Sequence, residues 1–326
     1  NGSMVFYDAF LVDATTDERY DEVSSQGYAW GYIGSCVPFI LCLIVVLAGP
    51  SVGIPMDIGM KIAFLITAVW WVAFSVPLIR DVHQTHYKER APRLIRDTFA
   101  GLFRTLKRIW KDRRLRYFML AFFCYIDGVH TIIKMSTSYG TNLGLDSAGM
   151  LLALLLVQVL GLPFCLLYMK LAARFGARTM VGVGICVYMF ICIFAYFMNS
   201  LWQFWMLAVL CATSQGGIQA LSRSMFGKLI PDKARSGEFF GFFDIFGKFS
   251  SILGPTLVGA VSAFAASKMM AAQGLTAVTA TAEQVDAINK AASPYGILSV
   301  ILIIIAGAVL YFAVLPRTLK GDQRKI

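Results

Sequence analysis

Six stretches without a charged side chain constrain this chain more than any other feature: residues 23–56, 62–79, 147–169, 179–222, 249–267 and 291–316. A bilayer's hydrocarbon core takes about 20 apolar helical residues to cross. A helix also satisfies its own backbone hydrogen bonds, which lipid cannot do for it. The stretch 179–222 is long enough for two crossings, with a turn at Asn199 and Ser200. A soluble protein carries about 25% charged residues. This chain has 15%, beside 58% hydrophobic residues. The expected fold class is an all-α multi-pass membrane protein.

Crossings are expected over roughly 27–48, 60–79, 117–137, 147–169, 179–198, 201–222, 238–264 and 292–315. That makes eight complete membrane helices. Residues 1–12 are apolar but too short to span, and are read as the end of a ninth. The chain begins NGSM, without Met at position 1 and without a basic region ahead of an apolar core, so no signal peptide is visible. Residues 13–22, DATTDERYDE, form a polar link. Ser267–Ala292 reads as a long Ala/Thr-rich excursion, with a turn of helix around Glu283–Lys290.

The net charge of +10 is concentrated rather than spread. Between Arg80 and Arg116 there are 12 Lys/Arg against 4 Asp/Glu. Such a surplus in one inter-span segment suits a cytoplasmic loop beside anionic lipid, not a nucleic-acid-binding face. Phe99, Leu102, Phe103, Leu106, Ile109 and Trp110 recur there at helical spacing, with Arg104, Lys107, Arg108 and Lys111 between them. The pattern predicts an amphipathic helix at the membrane surface or packed on the ends of the bundle. Segments 80–116, 170–178, 223–237 and 317–326 are basic, whereas 49–59, 138–146 and the Asn199 turn are not. The alternation places the C-terminus in the cytoplasm. Four regions follow: 1–80 as the remnant of an N-terminal bundle, 81–116 as a linker, 117–316 as a six-helix bundle, and 317–326 as a basic tail.

The seven cysteines all fall in apolar segments, where they are expected as buried packing residues rather than a disulfide or metal framework. His83 and His86 belong to the surface loop. HExxH, nucleophile-elbow and Walker patterns are missing, so no enzyme chemistry, cofactor or metal is expected.

Polar residues inside spans are costly in lipid and therefore candidates for function. Asp127, His130 and Lys134 share one helical face with Thr131. Asp127 suits a substrate ammonium or a proton, His130 a proton shuttle or neutral packing, and Lys134 an anionic group or a counter-charge. Gln215 and Gln219 stand one turn apart around Gly216 and Gly217, and amides that both donate and accept suit a zwitterion or a polyol. The alternative is hydrogen bonding between helices. Asp244 and Lys248 are spaced to pair with each other, or else with Lys134 and Asp127 across helices. Arg223 is placed at the cytoplasmic end, in reach of lipid or a gate, with Glu238 at the membrane edge as a partner for Arg223 or Arg235.

FYDAFL, SSQGYAWGYIG, YIDGVHTI, QGGIQALSRSMFGKLIP and EFFGFFDIFGKFSSILGP resemble the vacuole effluxer-like family of the major facilitator superfamily, which includes autophagy-related vacuolar amino-acid effluxers. The resemblance spans nearly the whole chain. It implies a partial major-facilitator fold that lacks helices 1–3 and most of helix 4, in a bacterial inner membrane. It also implies secondary transport of a small polar solute, amino acids among the candidates, by alternating access; Asp127 makes protons a candidate coupling ion. The missing helices would be needed to complete the pathway. The superfamily's loop signature is degraded: AARFGARTM has Ala173 where an acid is usual, while Arg174 and Arg178 remain as gate or cytoplasmic-loop candidates. The alternative is a non-transporting membrane scaffold or a transport-incompetent fragment.

Overall fold

The structure, a computed structural model, describes residues 2–85, 94–275 and 280–315. His86 and the basic tail lie outside that range. Among the described residues, ten α-helices follow in order: α1 Gly2–Ala14, α2 Tyr20–Ala48, α3 Met56–Asp81, α4 Leu94–Lys111, α5 Arg113–Asn142, α6 Ser147–Phe175, α7 Ala177–Tyr196, α8 Leu201–Leu229, α9 Ser236–Ala272 and α10 Ala282–Val309. Eight of the described helices are long and apolar enough to cross a membrane, one for each expected crossing. The chain is an all-α multi-pass membrane protein.

Several helices run beyond the expected crossings, α2 starting at Tyr20 and α5 spanning Arg113–Asn142. The excursion 267–292 shrinks, because α9 runs on to Ala272 and α10 already starts at Ala282. Thr281 explains the early start: its hydroxyl accepts from the Gln284 N–H, and the Gln284 side chain accepts from the Thr281 N–H. α8 likewise continues to Leu229, well past the expected end at Ser222. The cysteines also divide. Cys36, Cys165, Cys192 and Cys211 are buried, Cys42 and Cys124 are half-buried, and Cys186 is exposed. An apolar stretch in lipid does not reveal which of its faces is inward, so burial of all seven was not a safe inference.

The chain divides into two compact units. The first takes 1–89, 147–180 and 212–237; the second takes 90–146, 181–211 and 238–326. In the first, α2 lies along α6 and against α3. Glycine makes the close approach: a Cβ on Gly161 would sit 2.7 Å from the Tyr32 ring, and one on Gly216 equally close to the ring's Cε2. Ser24 Oγ donates to the Ala220 carbonyl at 2.7 Å, tying α2 to α8.

The second unit packs α10 on α5, with Tyr125 and Tyr311 edge to face at 6.0 Å. Phe122 of α5 stacks on Phe243 of α9 at 4.1 Å. Asp112 caps α5 by accepting from the Arg114 and Leu115 N–H groups.

Candidate functional site

Within the first unit, α1, α2, α6 and α8 surround an open cleft of about 340 Å³. Met4, Tyr7, Gly27, Tyr28, Gly31, Tyr32, Ser35, Gln158, Gln215 and Gln219 line it, and none of these carries a charge. The i, i+4 spacing on α8 brings both Gln215 and Gln219 to it, and α6 adds Gln158. All three glutamines are half-buried. Their amides have no hydrogen-bond partner among the described residues. Three phenol rings and three amides therefore share one uncharged surface formed by α1 and three membrane-spanning helices.

Next to this cleft lies a buried ion pair. Arg223 is 3% exposed and Asp8 is 6% exposed. The Arg223 guanidinium donates from Nη1 to Asp8 Oδ1 at 3.1 Å, from Nε to Ser24 Oγ at 2.9 Å, and from Nη2 to the Ser24 carbonyl at 3.3 Å. The rings of Tyr7 and Tyr28 flank the cation at 5.3 and 5.1 Å. Such a charge is tolerable only when paired and hydrogen-bonded, and here it is both. Gly27 provides the room, since a Cβ there would lie 3.3 Å from the Tyr7 hydroxyl and 3.5 Å from Arg223 Nη2. Arg223 thus does not reach lipid, as one sequence reading had it; α8 runs on past it and α1 covers it.

Two more ion pairs continue the same seam. Lys228 donates to Asp21 Oδ2 at 2.6 Å, and Lys233 lies 3.0 Å from Asp17 Oδ1. Ser224 Oγ donates to Asp21 Oδ1. The acids Asp8, Asp17 and Asp21 all come from the early segment, and the bases Arg223, Lys228 and Lys233 all come from α8 and the turn after it.

The second unit holds the other candidates. Asp127 is fully buried where α5 meets α9. Its Oδ1 accepts from the Gly254 N–H at 3.0 Å, while Oδ2 and the neighbouring Thr131 hydroxyl make no hydrogen bond among the described residues. Asp127 does not line the cleft of the first unit. His130 Nδ1 lies 3.2 Å from Ser251 Oγ, which donates to the Gly247 carbonyl. Lys134 is exposed and has no ion pair among the described residues. Lys248 pairs with Asp244 on its own helix at 3.1 Å, the simplest of the arrangements considered. Glu238 accepts from Thr105 Oγ1 of α4, rather than from Arg223 or Arg235. Arg235 pairs with Asp232 at 3.3 Å. Arg174 is exposed with its guanidinium over the Phe175 ring, and Arg178 is half-buried. Among the described residues, no group of three or more His, Cys, Asp and Glu side chains is placed to hold a metal ion.

Sequence reading missed Asp8, Gln158 and the three cleft tyrosines. A signal for the first two was present: each is a lone polar residue in an apolar run, FYDAFL for Asp8 and the charge-free stretch 147–169 for Gln158.

Comparison with known proteins fits this architecture. Residues 11–283 match the family described as Vacuole effluxer Atg22 like. The chain is 51% identical over 260 residues to the uncharacterized MFS-type transporter YxiO of Bacillus subtilis (strain 168), covering 79% of this chain and 60% of that protein. It is 25% identical over 268 residues to autophagy-related protein 22 of Coccidioides immitis (strain RS), covering 74% of this chain and 44% of the relative. Autophagy-related protein 22-1 of Aspergillus fumigatus is 22% identical over 267 residues, with 74% and 43% covered. The chain thus spans between 43% and 60% of the length of these relatives. With a family match over most of its length and polar groups gathered inside its spans, this chain belongs to the Atg22-like vacuole effluxer family.

Proposed function

We propose that this chain serves secondary transport of a small polar solute by alternating access, and that the uncharged cleft of α1, α2, α6 and α8 contacts the solute. The observation that carries the reading is the set of three half-buried amides, Gln158, Gln215 and Gln219, around a cleft of about 340 Å³. Buried polar groups are normally satisfied within a fold. Amides held open on a cleft wall are ready to donate to and accept from a solute. Tyr7, Tyr28 and Tyr32 add flat apolar surface with polar tips. Amino acids, which the sequence resemblance implies as candidates, are the first solutes to test. Asp127 is the proposed proton-coupling residue, and the C-terminus is assigned to the cytoplasm.

The test is counterflow of a labelled amino-acid panel in proteoliposomes. Gln219→Ala removes one solute hydrogen bond and should weaken half-saturation about 5-fold, matching a hydrogen bond worth roughly 1 kcal/mol. Unchanged half-saturation for every transported solute would reject the cleft. Asp127→Asn should abolish the pH dependence of uptake; a retained pH profile would remove Asp127 from coupling.

A further inference from the structure

The helix α4 is divided into three strips. Gly101, Thr105 and Ile109 are buried and fall at i, i+4 and i+8. Phe99, Phe103 and Trp110 lie on the opposite side and are 60%, 72% and 48% exposed. Arg104, Lys107, Arg108 and Lys111 occupy the strip between these two, all exposed. None of the four cations has an ion pair among the described residues.

The inner strip is fastened to one group. Thr105 Oγ1 donates to Glu238, and a Cβ on Gly101 would stand 3.4 Å from Glu238 Oε1. Glu238 sits in the first turn of α9, the helix that also gives Gly254 to Asp127. The outer strips meet the bilayer surface for a simple reason. Only Asp112 separates α4 from α5, and α5 is a membrane-spanning helix. Trp110 therefore lies three residues before the start of α5 and about two turns before its apolar part begins at Tyr117. Exposed aromatics at that depth, with cations beside them, match the interface between acyl chains and headgroups. The partner's charge follows from four cations that face no acid among the described residues: an anionic phospholipid.

We propose that α4 binds anionic phospholipid headgroups through Arg104, Lys107, Arg108 and Lys111, and that the Thr105–Glu238 contact transmits this binding to α9 as added stability. Four cations close to a charged surface act together, so the effect should depend steeply on lipid charge and fall with salt. The inference does not depend on which solute is carried or on transport itself.

The experiment measures thermal unfolding of the purified chain in a neutral detergent with added phosphatidylglycerol, phosphatidylcholine or inorganic phosphate, with retained lipid counted by native mass spectrometry. Phosphatidylglycerol should raise the midpoint by several degrees, and phosphatidylcholine and phosphate should not. Changing all four cations to Gln should remove most of that shift, and Arg104→Lys with Arg108→Lys should preserve it. Thr105→Val should keep the bound phosphatidylglycerol but lose at least half of the shift. An equal shift with phosphatidylcholine, or with phosphate alone, overturns the assignment to anionic lipid. A full shift in the four-Gln protein overturns the cation strip, and a full shift in Thr105→Val overturns transmission through Glu238.

Discussion

The chain buries a carboxyl group in each of its two units and treats the two differently. Asp8 has an arginine at 3.1 Å, and that arginine is itself held by Ser24 and flanked by two tyrosine rings. Asp127 has one backbone N–H at 3.0 Å, and its second oxygen has no hydrogen bond among the described residues. The first arrangement is a closed account of charge, in which removing a member exposes its partner to an apolar environment. The second is held mainly by shape, because Gly254 lets α9 come close enough for its backbone to meet the carboxyl. A polar residue in a membrane span can thus be an anchor or an open position, and its partners decide which.

The largest expected effect comes from Arg223→Met, which strands Asp8 and should cost about 3–5 kcal/mol of stability. Thermal unfolding in detergent, with yield as a second readout, checks it. Asp8→Asn combined with Arg223→Met should recover most of the loss, since the pair leaves together. A single variant as stable as the parent would break the comparison at its first term.

Asp127→Asn should change stability far less, within about 1 kcal/mol, because the new carbonyl oxygen still accepts from Gly254 N–H. A loss as large as that of Arg223→Met would show that Asp127 is an anchor too. The smallest effect belongs to Asp244→Asn. Its partner Lys248 is 42% exposed and lies one turn away on the same helix; with water reaching that face the pair contributes about 0.3–0.5 kcal/mol. Adding Lys248→Gln should leave little further change.

How much of this was legible beforehand follows from what lipid conceals. Span number and approximate extent were readable, because crossing length is a property of uncharged runs such as 62–79 and 147–169. The surface helix α4 was readable too, since its apolar and basic residues alternate with a helical period. Facing was not. Lipid and protein core are both apolar, so nothing in composition separates exposed Cys186 from buried Cys192. The polar candidates were identified by the cost of their position, and Gln215 and Gln219 do meet on one cleft. Their setting was hidden because it depends on distant segments. Asp8 is 215 residues from the arginine that neutralises it, and Gln158 reaches the same cleft from a helix that sequence reading had not connected with it.

That separation also has a consequence in time. The acids Asp8, Asp17 and Asp21 leave the ribosome long before Arg223, Lys228 and Lys233 do. At about 5–20 residues per second, the 215 residues between Asp8 and Arg223 take roughly 10–40 s to synthesise. During that interval Asp8 has no arginine, and the early helices cannot settle into their final contact with α8. The newborn chain therefore passes through a waiting period with an acidic edge unmatched, and water, the insertion machinery or a lipid headgroup has to shelter it until α8 arrives.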